Sequence, residues 1–249
     1  MLTPDVISLK HYYASPAGEV STQLIARAVA QLWPQAAGDQ LLGMGYSVPL
    51  LQPFLTEGVQ VAVCMSGEQG AVYWPPSRGN LVFMAHESEL PLRENSINRI
   101  LLLHCLENTE QLSALMQEMW RVLTPGGRLL AVVPNRLGLW ARSSKTPFGY
   151  GRPFSMMQLR DLMVRHQFTT LRTASALFMP PLNWPWLWRL APRLEKIGRA
   201  LCPFVGGALL IEAEKQIYAA IRQPALARKS ARSRVATAKP AMSSQKTHP

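Results

Sequence analysis

The stretch whose residue types best suit a ligand is Asp39-Gln-Leu-Leu-Gly-Met-Gly-Tyr-Ser-Val-Pro49. Asp39 to Leu42 is short and apolar enough for a buried strand, Gly43-Met-Gly45 supplies a tight turn, and Ser47 and Pro49 suit the cap and first turn of a helix. Strand, glycine turn and helix start together aim backbone N–H groups at one point, a geometry that grips nucleotide-like ligands. Gly43 and Gly45 fit positive φ and close approach of a ligand to the backbone, or else a plain strand-to-helix turn. Tyr46 is placed either across a bound nucleoside or as a core or rim aromatic.

His104 and Glu107 follow a later apolar run and fall at its carboxyl end, the edge at which open α/β sheets bind ligands. Histidine is the side chain best poised for proton transfer near neutral pH, so His104 is a candidate base; the other reading is a structural hydrogen bond that holds the loop. Arg136, Arg142 and Arg152 are interleaved with Trp140, Phe148 and Tyr150 between Pro134 and Phe154. Guanidinium forks suit carboxylate or phosphate and the aromatics form an apolar wall, so this segment is either a cover that selects an anionic small substrate or a wrapped loop. Trp184, Trp186 and Trp188 alternate around Pro185; they pack over the sheet, build a lid or meet a membrane interface. No Cys/His cluster has metal-ligand spacing, and no serine–histidine–acid triad can be argued.

Positioning these residues needs alternating strands and helices. Helical spacing covers Glu19–Trp33; strands are predicted at Asp39–Leu42, Val59–Met65, Leu81–Met84 and Arg99–Leu103. A helix from about Glu110 to Leu123, the turn Pro125-Gly126-Gly127 and a strand from Arg128 to Val133 follow. A long irregular segment occupies 134–153. Ser155 caps a helix to His166, then come a strand from Phe168 to Met179, a helical segment from Trp184 to Leu201, its later part only because of Pro185, and a last strand from Phe204 to Glu214. Such alternation implies parallel pairing and right-handed crossovers.

At 249 residues, 48% of them hydrophobic, the chain suits one sizeable α/β core. No run approaches the ~18 apolar residues of a membrane span, and Asp5, Lys10 and His11 interrupt any signal-peptide pattern. Cys64, Cys105 and Cys202 lack disulfide spacing and read as reduced core thiols, which points to the cytoplasm. The net charge of +11 is concentrated at one end: no acid follows Glu214, and seven of the 26 basic residues lie in 222–249. That stretch has almost no large apolar residue, and reads as a disordered basic tail or a weak tether to RNA or anionic lipid. Residues 1–221 form the expected single domain, with 134–154 and 180–203 as lid or substrate segments.

The landmarks resemble, in order, the type-11 methyltransferase-domain group of the class I S-adenosylmethionine-dependent methyltransferases. Gly43-Met-Gly45 sits where that family has its glycine-rich loop, and Glu89-Leu-Pro-Leu92 matches its Leu-Pro motif. His104-Cys-Leu-Glu107 matches its His-x-Leu-Glu, and Arg121-Val-Leu-Thr-Pro-Gly-Gly-Arg128 the helix end and turn before the fifth strand. The resemblance spans about residues 40–135; Asn135–Arg142 and Thr146–Phe154 look like a divergent bacterial subgroup. It implies a Rossmann-like, mostly parallel seven-stranded sheet with helices on both faces. It also implies S-adenosylmethionine as cofactor and methyl transfer to a small or anionic acceptor, with no strong nucleic-acid signal outside the tail.

The resemblance further implies cofactor contacts at Gly43, Gly45, Tyr46, Cys64, His86, Glu87 and His104, while the interleaved arginines and aromatics give Arg136, Trp140, Arg142, Phe148 and Arg152 as the substrate contacts. The chain departs from the family at four places. Leu41 replaces the acid two residues before the first glycine, and Ser47 replaces the third glycine. Cys64 replaces the ribose-binding acid, and His86, beside Glu87, replaces the acid facing the adenine. A lost charged hydrogen bond costs about 1.5–3 kcal/mol, or roughly ten- to a hundred-fold in affinity, unless Ser66, Glu68 or Glu87 compensates. The alternative is a methyltransferase-fold binding or regulatory protein that has lost cofactor use.

Overall fold

A computed structural model describes residues 4–34, 38–55, 58–77, 79–181, 184–202 and 204–216, and the side chains of all of these except 185–189. The basic stretch 222–249 lies outside the described residues, as does any structural account of it.

Seven strands form one sheet: β1 (Gln40–Gly45), β2 (Gln60–Met65), β3 (Val82–Met84), β4 (Ile97–Leu103), β5 (Leu123–Pro134), β6 (Phe168–Ala176) and β7 (Ala208–Lys215), in the order β3-β2-β1-β4-β5-β7-β6. The first five pair in parallel, and β7 runs antiparallel between β5 and β6. The expected mostly parallel, doubly covered sheet is therefore present.

Strand alternation divides the core between two faces. Leu101 and Leu103 of β4 and Leu130 and Val132 of β5 point to one apolar cluster. That face is covered by α1 (Val6–Tyr13), α2 (Pro16–Leu32), the short α3 (Val48–Leu51) and α6 (Pro185–Leu201). Ile100, Leu102, Leu129 and Ala131 point to the other cluster, under α4 (Leu112–Val122) and α5 (Met156–Arg165). In α4 the apolar spacing puts Leu115, Met116, Met119 and Val122 inward.

Two family-like motifs turn out to brace each other. Glu118 of α4 accepts the Leu90 backbone N–H at 2.7 Å and holds Arg121 at 2.6 and 2.8 Å, while Arg121 donates to the Leu90 carbonyl at 3.2 Å. Arg121 beside it holds the Glu118 carboxyl below its ordinary pKa. The Leu-Pro turn after β3 is thus tied to the end of α4.

Several boundaries differ from the sequence reading for physical reasons. Both loop glycines lie within β1, since Gly43 and Gly45 continue the ladder to β4. The Thr-Pro-Gly-Gly turn is an irregularity inside β5, where pairing with β4 shifts between Ile97 and Arg99 and Gly126 takes φ 71°. β6 stops at Ala176 because Leu177 adopts φ 64°. Pro185 does not delay α6; it opens the helix at the first turn, where its missing N–H costs nothing. α5 has its predicted Ser155 cap, completed reciprocally by Gln158. α1 is absent from the sequence reading, although Asp5 caps it by accepting the Ser8 N–H.

Candidate functional site

The carboxyl ends of β1, β2, β3 and β4 open on a cleft of about 430 Å³, within the range of small-molecule sites. Gly45, Cys64, Ser66, Glu68, Glu87 and His104 line it, with His86, Asn108 and Thr109. Gly45, Cys64, His86, Glu87 and His104 are therefore brought together as expected, whereas Gly43 and Tyr46 stand apart from the cleft lining.

The two glycines have different jobs. Gly45 adopts φ 65°, and a Cβ there would fall 2.5 Å from the Leu103 carbonyl oxygen. The close approach is to the end of β4, which lets the two strand ends converge on the cleft. Gly43 has ordinary extended backbone; a Cβ there would strike the Ser47 hydroxyl at 2.2 Å and Leu51 at 2.5 Å. Its bareness seats α3, so the ligand reading of Gly43 is corrected to a packing role. Ser47 does not cap α3 with its side chain; its hydroxyl is buried and has no hydrogen-bond partner among the described residues.

Tyr46 is only 4% exposed and stacks on Tyr13 of α1 at 5.5 Å between ring centroids, so it is a core aromatic. Tyr13 reaches further. Its hydroxyl lies 2.7 Å from His104 Nε2, and His104 Nδ1 lies 3.1 Å from Glu107 Oε1. Burial pushes the Tyr13 phenol well above its ordinary pKa, helped by the neighbouring Tyr12 and Glu107. Tyr13 therefore stays a neutral phenol against Nε2, and the Glu107 carboxylate stands as the acceptor for Nδ1–H. His104 itself is buried, takes φ 53° and packs edge-on against Phe148 at 4.9 Å. Both nitrogens are engaged by the protein. As a base, His104 would use Nε2, and only once the Tyr13 hydroxyl has moved off it.

At the β2 and β3 ends the chemistry is more open. Burial pushes the Cys64 thiol up to about 12, so it offers no charge to a sugar. Glu87 is half-buried and accepts a hydrogen bond from the Thr109 hydroxyl; burial raises its carboxyl above its ordinary value. The Ser66 hydroxyl accepts the Gln69 N–H at 3.3 Å, and exposed Glu68 adjoins it. Ser66, Glu68 and Glu87 thus place acceptors on the cleft wall near Cys64. His86 is exposed and bonded to Ser88 at 2.6 Å. Two buried oxygens beside the cleft, Glu107 Oε2 and Asn108 Oδ1, lack partners among the described residues. An adenosyl group fits this donor and acceptor set: an apolar floor, two carboxylates for hydroxyls, and a glycine-narrowed strand end.

The 134–154 segment behaves differently from the sequence reading. Trp140 donates from Nε1 to the Met179 carbonyl at 2.7 Å and packs face to edge with Phe148; both are buried. They are therefore corrected from substrate wall to core, since no surface remains for a ligand. Arg136, Arg142 and Arg152 are exposed. Arg152 lies nearest the site, its backbone N–H donating to the Glu107 carbonyl at 2.8 Å, while Arg136 reaches the Pro153 carbonyl at 3.4 Å. Trp184 is half exposed rather than core; the side chains of Trp186 and Trp188 lie outside the described residues. Cys202 is likewise an exposed thiol, not a core one. Among the described residues, no three His, Cys, Asp or Glu side chains converge as for a metal ion, and no helix is long and apolar enough to cross a membrane.

Residues 43–131 match the family model described as a methyltransferase domain. No curated protein sequence matches the chain. Solved structures share the fold at low identity. One is an S-adenosylmethionine-dependent methyltransferase from Thermotoga maritima, described as a possible histamine N-methyltransferase. It is 16% identical over 85% of this chain and 96% of that one, with a TM-score of 0.63. A second, an S-adenosylmethionine-dependent methyltransferase from Archaeoglobus fulgidus, is 15% identical over 85% and 100%, with a TM-score of 0.58. The cyclase SpnF is 18% identical over 78% and 80%, with a TM-score of 0.55. The family match indicates S-adenosylmethionine as the cofactor, in keeping with the acceptors on the cleft wall. The methyltransferase-domain match over residues 43–131 and the shared fold, with its inverted β7 and its cleft at the strand ends, support the class I S-adenosylmethionine-dependent methyltransferase superfamily.

Proposed function

We propose that the chain is an active methyltransferase that binds S-adenosylmethionine in the cleft beside Gly45 and methylates a small, anionic acceptor. The observation that carries this is the set of acceptors at Ser66, Glu68 and Glu87, on the wall where Cys64 has replaced the customary acid. When bound, the cofactor would supply an activated methyl group on its sulfonium. The protein's share is then mostly positioning, because the leaving group is already activated. Glu68 and Glu87 would hold the sugar hydroxyls, Gly45 keeps the β1 end narrow, and Arg152, whose backbone N–H meets the Glu107 carbonyl, would offer its exposed guanidinium to an anionic acceptor. His104 takes a proton from an acceptor that must lose one, with Glu107 fixing its Nδ1–H.

The test is calorimetric titration of the chain with S-adenosylhomocysteine, followed by incubation of methyl-labelled S-adenosylmethionine with fractionated anionic metabolites. Micromolar binding and label in an acidic fraction are expected. No heat at millimolar ligand would refute cofactor use. Binding without transfer to any fraction would favour a second reading, a regulatory or binding protein, which the missing acids at Leu41 and Cys64 and the doubly engaged His104 support.

A further inference from the structure

The described surface carries an apolar crest that the cleft does not use. Along α6, Leu190, Ile197 and Leu201 recur at helical spacing on one side, and Ile197 and Leu201 are 53% and 75% exposed. The opposite side is the docked one: Ala191 is buried, and Glu195 accepts the Leu177 and Phe178 N–H groups at 3.1 and 2.9 Å. The chain leaves α6 into Phe204, 75% exposed, and Val205. Asn135 brings a second segment to the same place, donating to the carbonyls of Phe204 at 2.8 Å and Gly206 at 2.7 Å. Gly138 abuts Gly206 and Gly207, and its neighbours Leu137 and Leu139 are more than half exposed. Large aliphatic side chains from two segments thus stand in water together, which marks an interaction surface.

The charge along the two crest segments has one sign apart from Glu195. From Asn135 to Arg160 the sequence holds no acid, and from Pro180 to Ile211 it holds only Glu195, which is buried and engaged. Arg142, Lys145, Arg193 and Lys196 are exposed in these segments. On the helix, Arg193 and Lys196 flank the apolar stripe rather than interrupt it. A second copy of the chain is a poor occupant, because a self-complementary contact would set these cationic rims against each other. RNA is also disfavoured, because Phe204 is the one aromatic beside aliphatic Ile197, Leu201, Leu137 and Leu139, and a single ring makes no stacking platform for successive bases. Aliphatic crest, basic flank and lack of exposed acid are the features of a helix that lies in a lipid interface.

We propose that this face docks on an anionic bilayer surface, with Ile197, Leu201 and Phe204 entering the acyl boundary and Arg193 and Lys196 meeting lipid phosphates. The inference is independent of methyl transfer. Cys202 follows Leu201 at the end of α6, two residues before Phe204, and is the exposed thiol among the three cysteines, so a label there reports on the contact without any substitution. The full chain, labelled there with a polarity-sensitive fluorophore, would be mixed with vesicles of phosphatidylcholine and of phosphatidylcholine with about one third phosphatidylglycerol. A blue shift and co-sedimentation with the anionic vesicles alone are expected, both weakened by salt. Joint Ile197→Ser, Leu201→Ser and Phe204→Ser should lower partitioning at least ten-fold at unchanged charge. Joint Arg193→Gln and Lys196→Gln should lower it about thirty-fold on anionic vesicles.

Four results would overturn the proposal. They are no shift on anionic vesicles, equal binding to both compositions, binding untouched by the serine triple variant, or an oligomer that the triple variant disperses while vesicles are ignored.

Discussion

Glu87→Gln is the sharpest perturbation of the proposed cofactor site. The carboxylate lines the cleft, is half-buried and is fixed by the Thr109 hydroxyl. If it accepts from ribose hydroxyls in place of the acid lost at Cys64, replacing it by a neutral amide removes a charged hydrogen bond of about 1.5–3 kcal/mol. The Kd for S-adenosylhomocysteine should then rise roughly 10- to 150-fold. Folding is not expected to suffer, since a glutamine oxygen can still accept from Thr109. The linkage sign supports this. Burial raises the Glu87 pKa in the folded state, so its contribution to stability is full below the unfolded carboxylate pKa and lost as pH rises through the folded value. At neutral pH the amide therefore relieves a buried charge. Binding has the opposite dependence: wild-type affinity should fall as acid protonates Glu87, and the variant should be flat in that window. Isothermal titration at several pH values, with urea unfolding as the control, measures both. An unchanged Kd with intact fold would refute the claim that Glu87 replaces the missing ribose acid.

Three further outcomes are expected. Tyr13→Phe leaves His104 Nε2 buried without its 2.7 Å partner and should lower stability by about 1–3 kcal/mol in urea unfolding; a change within 0.5 kcal/mol would remove Tyr13 from the network. Gly45→Ala forces φ 65° on an L side chain, about 1–2 kcal/mol, and drives its Cβ to 2.5 Å from the Leu103 oxygen. A lower melting temperature together with weaker S-adenosylhomocysteine binding is expected, and a neutral effect on both would contradict the strand-end argument. Glu118→Ala unpairs the Leu90 N–H and should cost about 1.5–3 kcal/mol. Because Arg121 lowers the Glu118 pKa in the fold, this contribution is present above the ordinary carboxylate pKa and lost as pH falls through the lowered one. Thermal melts of wild type and variant should therefore converge in acid, and parallel curves would refute the assignment.

The sheet was legible because periodicity and turn chemistry are local. Ile100 to Leu103 alternates between two faces whichever helices cover them, and Pro125-Gly126-Gly127 bends the chain whatever lies beyond it. What spacing could not show is which neighbour a side chain meets. Trp140 and Phe148 have the composition of a substrate wall, yet Gly207 leaves room for the Trp140 ring and Met179 accepts its N–H, contacts across more than thirty residues of chain. Gly43 and Gly45 look alike in sequence and differ only in what a Cβ would strike. α1 had a legible cap at Asp5, but nothing local says that Tyr13 reaches His104 across 91 positions.

These long-range contacts bear on how the missing acids are to be read. A chain drifting from catalysis would be expected to fill its cleft with apolar side chains, since each buried polar atom without a partner is costly. Leu41 follows that pattern, being fully buried in the core. The cleft wall does not. Glu87 remains half-buried at a desolvation cost, Glu107 Oε2 and Asn108 Oδ1 stay unpartnered among the described residues, and His104 holds a strained φ of 53° to meet Tyr13 and Glu107. Costs of this kind cluster where a ligand or a reaction repays them. These costs favour the proposed binding site, with its carboxylates on the loops after β2 and β3, over a relic. A carboxylate that holds the sugar hydroxyls in the bound state acts chiefly on how fast the cofactor leaves. Stopped-flow binding of S-adenosylhomocysteine to wild type and to Glu87→Gln resolves this: if Glu87 holds the sugar, the variant loses affinity through faster release. If both rates are unchanged, the loop acids are bystanders and the cleft's polarity has another cause.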